Sequence, residues 1–201
     1  MEKFIVNMNS TAILVLAAGK SSRMKTIKQL LKINNKTLLE IALENAKKIN
    51  SENVFCVLGA NSEKIKEETS TKNINYIFNK NFENGLSSSI ICGVDFIQKK
   101  QPNVNSILVL LADQPKIDES YLFKIFNIYQ KNSTKIIASN YGNKIGVPAI
   151  FPDKYFNELL TLKGDKGAKE LLNSDKAEII SIHSNKLIDL DTKQDYIDFI
   201  N

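Results

Sequence analysis

The 201-residue chain has no tryptophan, one histidine, one arginine and two cysteines. Each scarcity closes off a chemistry. One imidazole, His183, cannot build a three-histidine zinc site. Cys56 and Cys92 lie far apart with no CxxC neighbour, which removes the thiolate zinc sites as well. His183 is also the only imidazole available to activate a nucleophile. It sits in an apolar strand pattern (IISIH) and reads as structural. The cysteines read as buried thiols of a reduced compartment, not as a disulfide. No run approaches the roughly 18 apolar residues of a membrane span. Residues 1–10 are too short and too polar for a signal peptide. The expectation is a cytoplasmic protein with no membrane partner.

What is present is lysine. The net charge is +5, and 26 of the 27 basic residues are lysines. They are scattered. The pairs Lys47-Lys48 and Lys99-Lys100 fall at the ends of expected helices, where they suit the helix dipole. No basic run or interleaved aromatic stripe marks a nucleic-acid surface. The excess reads as a solvated face with mild attraction for small anions.

The length fits a single domain over 1–201, with 1–10 as a flexible N-terminal segment. Strands and helices alternate. Thr11–Leu16 (TAILVL), Val54–Leu58 (VFCVL) and Ile107–Leu111 (ILVLL) are short continuous apolar runs, the pattern of strands buried on both faces. Residues 74–78, 135–139 and 178–182 are weaker strand candidates. Helical patterns cover 37–48, 61–69, 88–98 and 119–131. The expected fold is α/β: a three-layer α/β/α sandwich around a mostly parallel, Rossmann-like sheet. Such sheets bind ligands beyond the carboxyl ends of their strands.

The first strand runs into Ala17-Ala18-Gly19-Lys20-Ser21-Ser22-Arg23-Met24. Small residues bare the backbone amides, and hydroxyls and the lone arginine follow, so the loop reads as an anion cradle. The plainer alternative is a strand-to-helix turn with Ser as N-cap. A P-loop would need a glycine at Leu14, and a dinucleotide fingerprint needs three glycines where only Gly19 stands. Arginine at 23, in a chain that uses lysine everywhere else, fits a need for a planar two-pronged phosphate contact.

The stretch Leu16 to Met24, with Lys28, resembles the L-A-A-G-x-S-S-R-M-x-x-x-K signature of the MobA-like nucleotidyltransferases. Lys25 stands where that family usually has glycine. Further segments follow in the family's order. They are Asn84-Gly85 through Ser89, Ala112-Asp113-Gln114-Pro115, Gly146-Val147-Pro148 ahead of an apolar strand, Leu162 through Ala168, and Leu190-Asp191-Thr192. The resemblance spans about 11 to 200. Ala17-Ala18-Gly19 and Ser21-Ser22-Arg23-Met24 favour the molybdenum cofactor cytidylyltransferase branch over the guanylyl enzymes and sugar pyrophosphorylases.

The resemblance implies a nucleotide-diphospho-sugar transferase type of fold and a Mg²⁺-dependent reaction. In it, CTP and a molybdopterin-type phosphate acceptor form molybdopterin cytosine dinucleotide and pyrophosphate. It implies catalytic roles for Arg23, Lys28 and Asp113, and metal ligation by Asp113 and Asp191. Nucleotide contacts fall on Leu16, Ala17, Ala18, Gly19, Ser21, Ser22, Arg23, Lys28, Asn84, Gly85 and Ser89. Acceptor contacts fall on Gly164, Asp165, Lys166 and Gly167. It also implies a molybdenum hydroxylase as recipient of the product. Asp191 has a rival role as cap of the last helix, and Ser87 or Ser88 as cap of the helix they precede. The competing functions are a relative using GTP or a sugar or polyol phosphate, and a non-catalytic nucleotide- or cofactor-binding protein.

Overall fold

Thr11–Ala17 (TAILVLA) has no polar alternation, so neither face can meet water. A computed structural model, which describes residues 10–175 and 177–201, buries all seven residues as the strand β1. Residues 1–9, which carry most of the expected N-terminal segment, lie outside the described residues. A short hairpin follows, β2 (Lys32–Ile33) and β3 (Lys36–Thr37), turning on Asn34 and Asn35, both at positive φ. Asparagine tolerates that conformation better than most residues. Then come α1 (Leu38–Ile49), β4 (Val54–Leu58), α2 (Ser62–Glu68), β5 (Asn75–Phe78) and α3 (Leu86–Lys100). The chain continues through β6 (Ser106–Leu111), α4 (Glu119–Lys131), β7 (Ile136–Asn140) and β8 (Ile145–Pro152). It ends with α5 (Phe156–Leu160), α6 (Lys169–Leu172), β9 (Ile179–His183) and α7 (Lys193–Ile200).

Seven strands form one sheet in the order β5-β4-β1-β6-β8-β7-β9. Only β8 runs antiparallel to its neighbours. The sheet is therefore mostly parallel, as expected. Gly146-Val147-Pro148 is a correction: expected ahead of a strand, it lies inside β8.

Alternation along β1 builds two cores. Ala12, Leu14 and Leu16 pack with Ile90, Val94 and Ile97 of α3 on one face. Ile13, Val15 and Ala17 pack with Leu39 and Leu43 of α1 and Leu122 and Ile125 of α4 on the other. Burying one such side chain is worth about 1.5–3 kcal/mol. Thr37 caps α1 through a reciprocal pair with Glu40. Glu40 also accepts from the Ser70 amide at 2.9 Å, and these hydrogen bonds hold its carboxyl down at about 2. Cys56 is buried and burial pushes its thiol up, as an inert core cysteine requires. His183 ends β9, with Nδ1 3.1 Å from the Asn140 carbonyl oxygen. No helix among the described residues is long and apolar enough to cross a membrane.

Candidate active site

Strand order reverses at β1, whose neighbours β4 and β6 lead away in opposite directions. At such a switch point the connections leave the carboxyl edge of the sheet open. A cleft of about 690 Å³ lies there, lined by Leu16 to Lys20, Arg23, Lys28, Asp113 and Asp191 among others. That volume suits a nucleotide-sized ligand.

The loop after β1 does not open a long helix. It passes through two 3₁₀ turns, Ser22–Met24 and Lys28–Leu30. Ser21 precedes the first in a left-handed conformation with no side-chain cap bond, so the N-cap reading of this serine is corrected. The loop is held instead by Gln29, which is only 4% exposed. Its Nε2 donates to the carbonyl oxygens of Ala17 at 2.8 Å and Gly19 at 3.0 Å. Its Oε1 accepts from Ser21 Oγ at 3.2 Å, and Ser21 Oγ accepts from the Lys28 amide at 3.2 Å. Both loop carbonyls face inward, and Gly19 and Lys20 stay exposed. Ser21 and Ser22 do not line the cleft. Arg23 does, and among the described residues its guanidinium has no hydrogen-bond or ion-pair partner. Lys25, where the family usually has glycine, adopts φ 54.

Asp113 follows β6 directly. Its Oδ2 accepts from Lys28 Nζ at 2.6 Å, and the same Nζ reaches Asp191 Oδ1 at 3.1 Å. Burial pushes the Asp113 carboxyl up despite Lys28. Burial alone would lower Lys28, but Asp113 and Asp191 outweigh it and raise it. One ammonium shared by two carboxylates leaves negative charge uncompensated, and Asp113 Oδ1 is buried with no partner among the described residues. Asp191 does not cap α7. Thr192 does, in a reciprocal pair with Asp195, and this leaves the Asp191 carboxylate facing Lys28.

Gly85 and Ser89 line the cleft, whereas Asn84 lines a separate groove behind it. The N-cap of α3 is Gly85, at φ 89, so Ser87 and Ser88 lie inside the helix. A Cβ at Gly85 would lie 2.0 Å from Asp165 Oδ1, so a bare backbone is needed where these segments meet. Asp165 lines the cleft, Gly164 the groove, and Lys166 a small pocket beside the cleft while pairing with Glu170 at 3.3 Å. Gly167 is buried against Leu86.

Gln29, Lys144 and Asp189 escape the sequence reading, and Gln114 appears in it only within the Ala112-Asp113-Gln114-Pro115 segment, with no role. Gln114, 3% exposed, donates from Nε2 to Asp189 Oδ1 at 2.7 Å and the Tyr141 hydroxyl at 2.5 Å. Asp189 and Lys144 line the cleft opposite the loop. The neighbouring Asp191 was a signal for Asp189; nothing in the sequence marks a glutamine as buried.

A switch-point cleft with a small-residue loop, a free arginine and a buried aspartate defines a nucleotidyltransferase. The chain matches the model of the MobA-like NTP transferase domain over residues 13–179 and belongs to that family. It is 30% identical over 119 residues to the bifunctional protein GlmU of Clostridium kluyveri, covering 58% of this chain. It spans about a quarter (25%) of that relative's length. The crystal structure of the Mycobacterium sp. strain JC1 homologue of Rv0371c is 27% identical, with a TM-score of 0.81 and 95% of each chain covered. Rv0371c of Mycobacterium tuberculosis H37Rv in complex with manganese shares the fold at 24% identity, with a TM-score of 0.78 and coverage of 94% of this chain and 97% of that one.

Proposed function

We propose that this enzyme is a Mg²⁺-dependent cytidylyltransferase that joins CTP to a molybdopterin-type phosphate acceptor. The observation that carries this reading is the Asp113 carboxylate at the head of the cleft. It is compensated on one oxygen by Lys28 and, among the described residues, left bare on the other, in a cleft that Arg23, unpaired among those residues, also lines.

An oxygen of the acceptor phosphate attacks the α-phosphorus of CTP. The new P–O bond forms as the bond from the α-phosphorus to the bridging oxygen breaks, and that electron pair leaves on pyrophosphate. A phosphomonoester is largely dianionic at neutral pH, so no general base is needed. A chain whose one histidine does not line the cleft can therefore carry the reaction. What remains is alignment and charge neutralisation.

In this reading Arg23 grips the β- and γ-phosphates with its planar fork. Lys28, relieved of the two carboxylates, adds its charge to the leaving pyrophosphate. Leu16 to Gly19, with Ser21 and Ser22, shape the triphosphate loop. Gly85 and Ser89 face the nucleoside, with Asn84 behind them, and Gly164 to Gly167 border the acceptor. Asp113 and Asp191 would hold Mg²⁺. The donor set fits it: both groups offer only oxygens, and among the described residues Asp113 Oδ1 is buried with no partner. A hard cation that keeps several waters needs no more. It would supply charge neutralisation for the phosphates. The manganese complex of Rv0371c supports a divalent cation here. The product would pass to a molybdenum hydroxylase.

A thermal-shift panel of CTP, GTP, ATP and UTP with Mg²⁺ tests the base. Binding stabilises by mass action, about 2.7 kcal/mol at 100-fold over Kd. A shift largest for CTP and dependent on Mg²⁺ is expected. Preference for GTP overturns the base assignment, and no response to any nucleotide overturns the enzyme reading.

A further inference from the structure

Beside the main cleft lies a second, smaller pocket of about 130 Å³. That is room for roughly four waters. Its floor is aliphatic, with Leu16, Ile90, Leu111 and Leu172, and lysines stand at its rim. Five residues line both cavities, and only two of them are charged: Lys144 and Asp189. They mark the boundary between the two spaces.

Lys144 is held there loosely. It sits on the turn between β7 and β8, where the Tyr141 amide donates to the Lys144 carbonyl at 2.9 Å. Its Nζ is 3.7 Å from Asp189 Oδ2 and 4.7 Å from the centroid of the Tyr141 ring. At 3.7 Å the pair is beyond hydrogen-bond reach. Among the described residues no hydrogen bond uses the Lys144 ammonium. Asp189 is itself tied on its other oxygen by Gln114, so it cannot close that gap freely. By contrast, Lys166 at the same rim pairs with Glu170 and touches only the small pocket. A loosely paired ammonium stands where a molecule spanning both spaces would pass from one to the other.

We infer that Lys144 is a specificity residue for the acceptor. It binds the acceptor phosphate at the mouth of the small pocket and so selects phosphomonoesters whose body is compact and lays a flat ring face on the aliphatic floor, such as a fused ring. A hydroxylated chain finds no partners on the aliphatic floor, and burying its hydroxyls unpaired costs affinity. The inference rests on the transferase reading above for the identity of this space as the acceptor side.

The test uses three probes on the full chain without nucleotide, by calorimetric titration: 1-naphthyl phosphate, glycerol 3-phosphate and 1-naphthol. The expected order is 1-naphthyl phosphate at least tenfold tighter than either of the others. Lys144→Met weakens 1-naphthyl phosphate about tenfold, the scale of one charge-assisted contact. Lys144→Arg restores it to within about threefold, because charge is kept. Arg23→Met weakens it less than Lys144→Met does, which separates this pocket from the triphosphate loop. Equal binding by Lys144→Met and the natural chain overturns the inference. So does glycerol 3-phosphate binding as tightly as 1-naphthyl phosphate, or a loss that follows Arg23 instead. These readings need no CTP, so a failed nucleotide panel with an intact probe order sinks the cytidylyltransferase assignment and leaves the pocket standing.

Discussion

The two walls of the cleft are each braced by one buried glutamine, and the two braces are not alike. Gln29 uses both ends of its amide. Its nitrogen ties the carbonyls of Ala17 and Gly19, and its oxygen takes the Ser21 hydroxyl. Gln114 uses one end. Its nitrogen serves Asp189 and Tyr141, but its Oε1 is buried with no partner among the described residues. The loop wall, proposed above for the nucleotide, is thus fully bonded, whereas the opposite wall, proposed for the acceptor, holds an unanswered oxygen among the described residues and a loosely paired lysine. A buried polar group left unpaired costs about 1–3 kcal/mol, so the second wall carries a built-in deficit. Under the proposed function, a triphosphate would meet a fixed cradle and the acceptor a wall with slack in it.

The strongest way to break this contrast is at the seam between the walls. Asp113→Asn should leave the fold intact and cut Mg²⁺-dependent turnover by about 10³-fold, roughly 4 kcal/mol. An active Asn variant, measured by pyrophosphate release, sinks the metal assignment. Next is the finished wall: Gln29→Ala orphans two loop carbonyls and should cost about 3 kcal/mol in urea denaturation. Arg23→Lys keeps charge and loses the fork. Turnover should fall by about 10- to 100-fold, with a smaller loss in CTP affinity. Equal steady-state kinetics would make position 23 a charge site only. Gln114→Ala should cost less than Gln29→Ala, about 1–2 kcal/mol, because one buried orphan disappears with the side chain. Equal costs in the same denaturation series would erase the distinction between the braces. The smallest effect is at Lys25, where φ 54 strains any residue with a Cβ. Lys25→Gly should raise stability by at most about 1 kcal/mol, the strain relieved being partly offset by the freer unfolded chain.

This contrast also explains what the sequence could disclose. The loop from Ala17 to Lys28 is one continuous stretch with a dense pattern around the single arginine, so Arg23 and Lys28 could be picked out as cleft-lining residues, and Asp113 stood out in its own short motif after β6. The buried strands were legible too, because β1, β4 and β6 lack polar alternation. The acceptor wall draws Gln114, Tyr141, Lys144 and Asp189 from distant segments, and no local pattern joins them. The same holds for Gln29, whose burial is set by the loop folding over it. Helix α3 begins at Leu86, before the serines expected to cap it, because Gly85 alone fits against Asp165. The β2–β3 hairpin escaped because two-residue strands show no periodicity, although its Asn-Asn turn was in plain view.

The reversed strand β8 has one more consequence. Because it runs against its neighbours, the turn that precedes it, with Gly142 at φ 90, projects from the sheet edge where the cleft opens. Residues added at Gly142 or Asn143 would extend the acceptor wall while every ladder in the sheet kept its register, and lengthening a surface turn costs little entropy. The triphosphate loop has no such freedom, since its two ends are tied to one glutamine. Under the proposed function, such a scaffold would change its acceptor more readily than its donor.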